Sequence, residues 1–321
     1  MAYEGLTRVR GFVYDQRYLA IHRVNAKVIS IGNLTAGGAG KTPVTLLLGE
    51  RLLAQGKRVA IVSRGYGGSG REALVAADGK IYLDARAAGD EPVLLAKRLP
   101  GAAVLVGANR VRLAQQAISD HRAEVILLDD GFQHRRLART EDVLVLGGAR
   151  PLGNGALLPA GPLREPVDAA ARATVTWLSN GAEHATLPPH FPRRRVISRH
   201  RPTELTDLGL TAAHGLAALS GKRVLLLAGL ARPDAFRDSA LAQSAEIVGE
   251  ALFADHHRFT RSELAAVVAQ AQRAGAELLL TTEKDAVRMQ SGPPPAMETA
   301  VLRIDVEILD GDAIVGELCT C

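Results

Sequence analysis

Residues 33–43 read NLTAGGAGKTP and follow directly on the apolar run KVISIG. A buried strand, a glycine-rich turn and Lys-Thr opening a helix form a phosphate cradle, because loop N–H groups and a helix N-terminus converge on one anion. In such a cradle Lys41 reaches the β and γ phosphates and the Thr42 hydroxyl binds Mg²⁺. Pro43 suits the first helical turn, where its missing N–H costs nothing. The pattern G-x-x-x-x-G-K-[ST] is broken at one place: Thr35 stands five residues before Gly40, with Gly37 and Gly38 between them. Dimeric partition-type ATPases carry a lysine where this chain has Ala36, which removes their diagnostic residue.

Outward from the loop, apolar runs alternate with helical patterns. RVAIVSRGY, AAVLVG, AEVILLDDG, EDVLVLGG and ATVTWLS read as strands, and KTPVTLLLGERLLAQG and NRVRLAQQAISDH as helices covering them. Strands that are apolar throughout are buried on both faces, so the expectation is an α/β fold with a P-loop NTPase-like doubly wound parallel sheet. The pattern breaks after Asn180 into a stretch rich in proline and arginine, LPPHFPRRRVISRHRP. A second, smaller α/β lobe then begins, with KRVLLLAGLA and AELLLTT as strands and a Thr260/Glu263 capping box opening a helix. The expected division is an N-terminal amphipathic, membrane-associated segment over residues 1–24, a nucleotide-binding core over 25–190, a linker over 191–210, and a C-terminal lobe with a terminal tail over 211–321.

With 321 residues, 47% hydrophobic and 23% charged, the chain builds a core without metals or disulfides. The two cysteines, Cys319 and Cys321, read as part of a frayed tail. No leader-like segment opens the chain and no apolar run spans a bilayer, so a cytoplasmic-side location is expected. The charge of +5 suits anionic partners. Residues 1–27 interleave Arg8, Arg10, Arg17, Arg23 and Lys27 with Phe12, Val13, Tyr14, Tyr18, Leu19 and Ile21. That pattern fits either a basic amphipathic segment on an anionic membrane or a helix packed on its own domain.

Two acids, Asp129 and Asp130, end a strand at the carboxyl edge where doubly wound sheets bind ligands. Neighbouring strand residues point to opposite faces, so one of them is the expected Mg²⁺ ligand. Asp90 in AGDEP reads alone as a turn aspartate, and His256 in FADHHRF as a loop histidine. Meeting across a cleft, they would make a general base for a sugar hydroxyl. Arg64, Arg110, Arg164 and Lys284, in loops after strands, are candidates for holding an anionic substrate.

Taken together and in this order, IGNLTAGGAGKTP, SRGYGG, AGDEPVLLA, DDGFQH, LPAGPLRE, FADHH and TTEKDAV resemble the tetraacyldisaccharide 4'-kinase family of lipid A assembly, over roughly residues 25–290. The resemblance implies a peripheral enzyme on the cytoplasmic face of the inner membrane, with ATP and Mg²⁺ as cofactors. Its acceptor would be an acylated glucosamine disaccharide 1-phosphate, phosphorylated on the 4' hydroxyl. It maps the phosphate loop onto Thr35, Ala36, Gly37, Gly38, Ala39, Gly40, Lys41 and Thr42, and the catalytic dyad onto Asp90 and His256. It maps the Mg²⁺ region onto Asp129 and Asp130, with Glu165 as the metal-linked glutamate. Its implied partners are the lipid substrate and the anionic inner-membrane surface, with no nucleic acid and no obligate protein partner.

Two other classes compete. A metallochaperone-type GTPase switch would use TEKD, residues 282–285, to read guanine, although it lies far from the loop in the chain. A nucleic-acid module would use RRRVISRHR, but no tyrosine or phenylalanine is interleaved with the arginines of that run as a stacking platform requires.

Overall fold

The computed structural model describes residues 2–230, 233–290, 292 and 294–320. Helix α1 (Ala2–Asp15) leads into strand β1 (Lys27–Gly32), the phosphate-loop region and helix α2 (Lys41–Ala54). Then follow β2 (Val59–Ser63), β3 (Ala73–Ala77), β4 (Lys80–Ile81), α3 (Ala85–Ala88), α4 (Asp90–Arg98), β5 (Ala103–Val106), α5 (Arg110–His121), β6 (Val125–Asp129), β7 (Glu141–Gly147) and β8 (Val175–Ser179). The remainder comprises β9 (Arg195–Thr206), β10 (Ala213–His214), β11 (Arg223–Ala228), α6 (Asp234–Leu241), β12 (Glu246–Leu252), α7 (Arg261–Arg273), β13 (Leu278–Thr282), α8 (Glu283–Met289), β14 (Thr299–Asp310) and α9 (Asp312–Cys319).

All strands join one sheet, in the order β12-β11-β13-β14-β9-β8-β7-β1-β6-β2-β5-β3-β4, with β10 pairing β9. Strands β9, β8, β7, β1, β6, β2 and β5 are mutually parallel, as are β12, β11, β13 and β14. The two parallel blocks meet where β14 runs antiparallel to β9, from Val301 opposite Thr206 to Asp310 opposite Ile197. Every residue of β2, β5, β6 and β8 is buried, the consequence of helices on both faces. The expected parallel core is therefore present, with the second block as its smaller companion.

Two expectations are corrected. The stretch read as a linker over 191–210 contains β9, a 12-residue strand. Two of its arginines are held in short ion pairs: Arg199 with Glu307 at 2.7 Å, Arg194 with Glu141 and Glu317 at 3.1 and 2.8 Å. The expected terminal tail is α9, whose Val315, Leu318 and Cys319 are buried with Val44 and Leu48 of α2, and Arg51 of α2 pairs with Asp312 at 2.6 Å. The end of the chain thus packs on the nucleotide-binding half, and Cys319 is core; Cys321 lies outside the described residues.

Helix α1 packs one side on its own domain and leaves apolar side chains exposed on another. Tyr14 is buried beneath the Arg135 guanidinium, 4.9 Å from its ring centroid, and Arg10 donates to the Gln133 carbonyl at 2.7 Å. Meanwhile Leu6, Val9 and Phe12 stand 70%, 62% and 59% exposed. Among the described residues, no helix is long and apolar enough to cross a membrane.

Candidate active site

The phosphate loop is stitched to the LPAGPLRE segment. The Ala36 N–H donates to the Pro162 carbonyl and the Arg164 N–H to the Leu34 carbonyl, both at 2.7 Å, with a β-bridge between Thr35 and Leu163. Thr35 is absent from the positive-φ residues, so the backbone there requires no glycine. Gly40 differs: its φ is 90°, and a Cβ would lie 2.9 Å from Cε1 of His200. No side chain caps α2, so its first turn presents N–H groups toward the loop, the arrangement that receives an anion.

Lys41 Nζ donates to Asn33 Oδ1 at 3.3 Å and pairs with Asp130 at 3.5 Å. Asp130 also receives Arg164 at 2.8 Å. Burial works against its charge, but Lys41 and Arg164 outweigh it and bring its carboxyl down to about 2. Asp129 is buried deeper and accepts from Ser63 Oγ at 3.1 Å and Thr45 Oγ1 at 3.4 Å. Burial first, then the charges of Glu91 and Asp130, raise it to about 6. The two adjacent acids therefore diverge, because Asp129 ends β6 and Asp130 stands just beyond it in a left-handed turn at φ 46°.

Thr42 donates its hydroxyl to Glu91 at 3.3 Å. Glu91 escaped the sequence reading because it sits beside Asp90 in no motif of its own. Glu165, expected as a metal-linked acid, is paired with Arg172 at 2.5 Å and Arg10 at 4.0 Å. Among the described residues no group of three or more His, Cys, Asp or Glu could hold a metal by itself. A Thr42 hydroxyl with Glu91 and the charge-crowded Asp129 nearby does fit Mg²⁺, which takes one or two carboxylates and completes its shell with water and substrate phosphate.

Asp90 is not a turn residue but the first residue of α4, 5% exposed. Gly89 makes this possible: φ is 92°, and a Cβ would lie 2.5 Å from the Tyr66 carbonyl oxygen, so SRGYGG and AGDEP interlock. Asp90 Oδ2 contacts His256 Nδ1 at 3.1 Å and receives Arg288 Nε and Nη2 at 2.8 and 2.5 Å. Although burial opposes it, the His256 hydrogen bond and the Arg288 charge hold this carboxyl well below the usual range. The same hydrogen bond, followed by the Asp90 charge against some desolvation, raises His256 above its ordinary value. His256 sits at φ 58°, an unusual backbone state of the kind functional sites retain.

Helix α8 braces the pair. Lys284 meets Glu91 at 2.5 Å while Arg288 meets Asp90, so one helix neutralises both acids of the first turn of α4. Asp285, the residue that would read guanine in TEKD, is fully buried and accepts from the Gly229 N–H, Thr282 Oγ1 and Arg288. Thr282 caps this helix, and the buried Asp285 carboxylate ties it to Gly229, just after β11.

A cavity of about 320 Å³ beside the loop is lined by Arg10, Arg64, Arg110, His134, Arg136 and Arg164. His134 Nε2 is buried there without a hydrogen-bond partner among the described residues. Burial, then the surrounding guanidinium groups, push His134 down to about 3. Three of the four basic residues proposed from sequence thus gather here, and Lys284 lies instead on Glu91. A second cavity of about 290 Å³ exposes Asp90 and His256 together with Tyr66, Arg86, Arg258 and Arg288.

A phosphate loop at the carboxyl edge of a parallel sheet, with two acids at the end of the next strand and an Asp–His pair open to a cavity nearby, defines a P-loop phosphotransferase. The family model for tetraacyldisaccharide-1-P 4'-kinase matches residues 1–320. A tetraacyldisaccharide 4'-kinase of Anaeromyxobacter sp. (strain Fw109-5) is 48% identical over 96% of this chain and 87% of its own. One from Pelobacter propionicus is 38% identical over 97% and 87%. The crystal structure of LpxK from Aquifex aeolicus, in complex with ATP, superposes with a TM-score of 0.81 at 29% identity, covering 99% of this chain and 95% of that one. The chain belongs to the tetraacyldisaccharide-1-P 4'-kinase family, enzymes that transfer phosphate to an alcohol acceptor.

Proposed function

We propose that this chain transfers the γ-phosphoryl group of ATP to the 4' hydroxyl of an acylated glucosamine disaccharide 1-phosphate, giving lipid IVA, and that Asp90, Glu91 and His256 couple nucleotide to acceptor. One observation carries the coupling: consecutive residues of α4 touch the two halves of the reaction. Glu91 lies 3.3 Å from the phosphate-loop hydroxyl of Thr42, and Asp90 lies 3.1 Å from His256. A single helical turn fixes the base relative to the phosphate cradle.

The loop 35–42 and Lys41 hold the phosphate chain. Thr42, Glu91 and Asp129 are the residues that would hold Mg²⁺, which when bound neutralises charge on the phosphoryl oxygens. Asp90, weakened as a base by Arg288, orients His256 by accepting Nδ1–H and leaves Nε2 as the basic nitrogen. The 4' oxygen attacks the γ phosphorus, its proton passes to Nε2, the bond to the β,γ-bridging oxygen breaks, and ADP leaves. The arginine cavity suits the phosphate already on the acceptor.

The acyl chains stay in the bilayer, with α1 resting on the anionic cytoplasmic face of the inner membrane through Leu6, Val9 and Phe12. The test is to incubate the protein with ATP, Mg²⁺ and a monophosphorylated tetraacyl disaccharide in detergent and to look for a second phosphate by mass. Lys41→Ala abolishes the product; a variant of normal rate would remove the loop from the mechanism.

A further inference from the structure

The phosphate loop and the dyad bracket the place of the γ-phosphoryl group. Lys41 and Thr42 fix where the phosphate chain ends, and His256 has to reach the hydroxyl that attacks it. The first turn of α4 spans that interval, with Glu91 on Thr42 and Asp90 on His256. Onto the same turn the second block of the sheet brings two cations, both from α8, which follows β13. Their situations differ. Arg288 is 5% exposed and spends its guanidinium on Asp90, Asp285 and the Gly229 carbonyl. The Lys284 side chain is 30% exposed and has one partner among the described residues, Oε1 of Glu91 at 2.5 Å. That oxygen is the one that takes the Thr42 hydroxyl at 3.3 Å. An ammonium with N–H groups to spare therefore stands one carboxylate oxygen away from the threonine of the phosphate cradle.

We propose that Lys284 is a further catalytic residue, whose ammonium turns from Glu91 to the oxygens of the γ-phosphoryl group and neutralises the charge that gathers there during transfer. P-loop enzymes complete the cradle with a cation beyond the loop lysine, supplied by the same chain or by a partner. In the first block the candidates are committed: Lys41 to Asn33 and Asp130, and Arg164 to Asp130. The second block supplies the missing charge. A lysine suits the task, because a compact charge on a flexible four-carbon stem changes partner by rotamer alone. The moving phosphoryl group spreads its charge over three equatorial oxygens, which a point charge meets without a fixed fork. Lys284 makes and breaks no covalent bond and keeps its protons; the 4' oxygen still replaces the bridging oxygen at phosphorus, and His256 still takes the hydroxyl proton.

This assignment rests on the kinase reading above, and the experiment separates the two. Calorimetry measures the binding of ADP with Mg²⁺, alone and with aluminium fluoride, which on ADP mimics the phosphoryl group in transfer. The proteins are the wild type, Lys284→Met, Lys284→Arg, Glu91→Gln, and Lys284→Met in the Glu91→Gln background. The last removes the ion pair as a unit, leaves no buried charge alone, and so reports even where the single variant fails to fold. kcat and KM for ATP are measured with the disaccharide acceptor. The expected result for Lys284→Met is a loss of about 10²- to 10³-fold in kcat and in affinity for the aluminium fluoride complex, with ADP affinity and KM for ATP within a few-fold of the wild type. The same loss appears between the double variant and Glu91→Gln, and Lys284→Arg recovers part of it. ADP and the aluminium fluoride complex weakening in parallel overturns the inference, as the mark of a lysine that only holds Glu91 in place. An unchanged affinity for the complex overturns it too, as does a double variant equal to Glu91→Gln. A wild type whose aluminium fluoride complex depends on Lys284 but which never phosphorylates the disaccharide overturns the acceptor reading and leaves Lys284 in its role.

Discussion

In the mechanism proposed above, removing His256 takes away the nitrogen that receives the proton and leaves Asp90 on Arg288 at 2.5 Å. Loss of a general base lowers kcat by about 10²- to 10⁴-fold, or ~2.7 to ~5.4 kcal/mol. Asp90→Asn acts on the same step from the other partner, because it weakens the acceptor that fixes Nδ1–H. It also removes a charge from a guanidinium that is 5% exposed, but Arg288 keeps Asp285 at 2.8 Å. Its stability cost therefore stays below the ~3–5 kcal/mol of a buried ion left without any partner. If the two residues act as one unit, the double variant is no slower than the slower single variant, within a few-fold, and the coupling energy is about 2.7 kcal/mol or more. The assay is initial-rate phosphorylation of the disaccharide at saturating ATP and Mg²⁺, with urea unfolding run in parallel to separate folding from chemistry. The pH profile adds an independent reading. Only neutral imidazole takes a proton, and the Asp90 bond raises the His256 value, so kcat/KM climbs with pH and levels off above a midpoint higher than the ordinary ~6.5 of histidine. Asp90→Asn moves that midpoint down, and His256→Ala erases the limb. Losses that multiply, about 10⁴-fold from two 10²-fold singles, or an acid limb that survives in His256→Ala, would refute the dyad.

Glu91→Gln raises the Mg²⁺ concentration for half-maximal rate by roughly tenfold or more, the scale for losing one partner at a metal site, as read by metal titration at fixed ATP. Gly89→Ala forces an L side chain into a glycine-only backbone state and against the Tyr66 carbonyl, so it lowers unfolding stability by about 1–3 kcal/mol and depresses kcat through Asp90; urea melts and rates report both. Changing Leu6, Val9 and Phe12 together to serine leaves detergent turnover intact but reduces sedimentation with anionic vesicles, because these side chains are exposed and make the apolar face of α1.

The parallel core and its phosphate loop were legible because their signals are local: apolar runs, glycines and Lys-Thr in sequence order. What escaped depended on partners far along the chain. RVISRHRPTELT looked like a linker because proline and arginine dominate it, and it becomes a strand only when β14, about a hundred residues later, lies beside it. Asp90 looked like a turn residue because glycine precedes it and Pro92 follows, yet proline is tolerated in the first turn of a helix and Asp90 opens one. Glu91 carries no motif, and its meaning comes from what the fold sets opposite it. The Thr260–Glu263 capping box, a wholly local device, is present as read.

Because β9 and β14 zip together and α9 then settles on α2, the first half of this protein is completed by its last residues. During synthesis the strand over 195–206 leaves the ribosome with one margin bare and waits until residue 310 has emerged for its neighbour. A polypeptide stalled or clipped before Thr299 would expose that margin as a template for any passing strand, so quality control should find such fragments sticky rather than merely inactive.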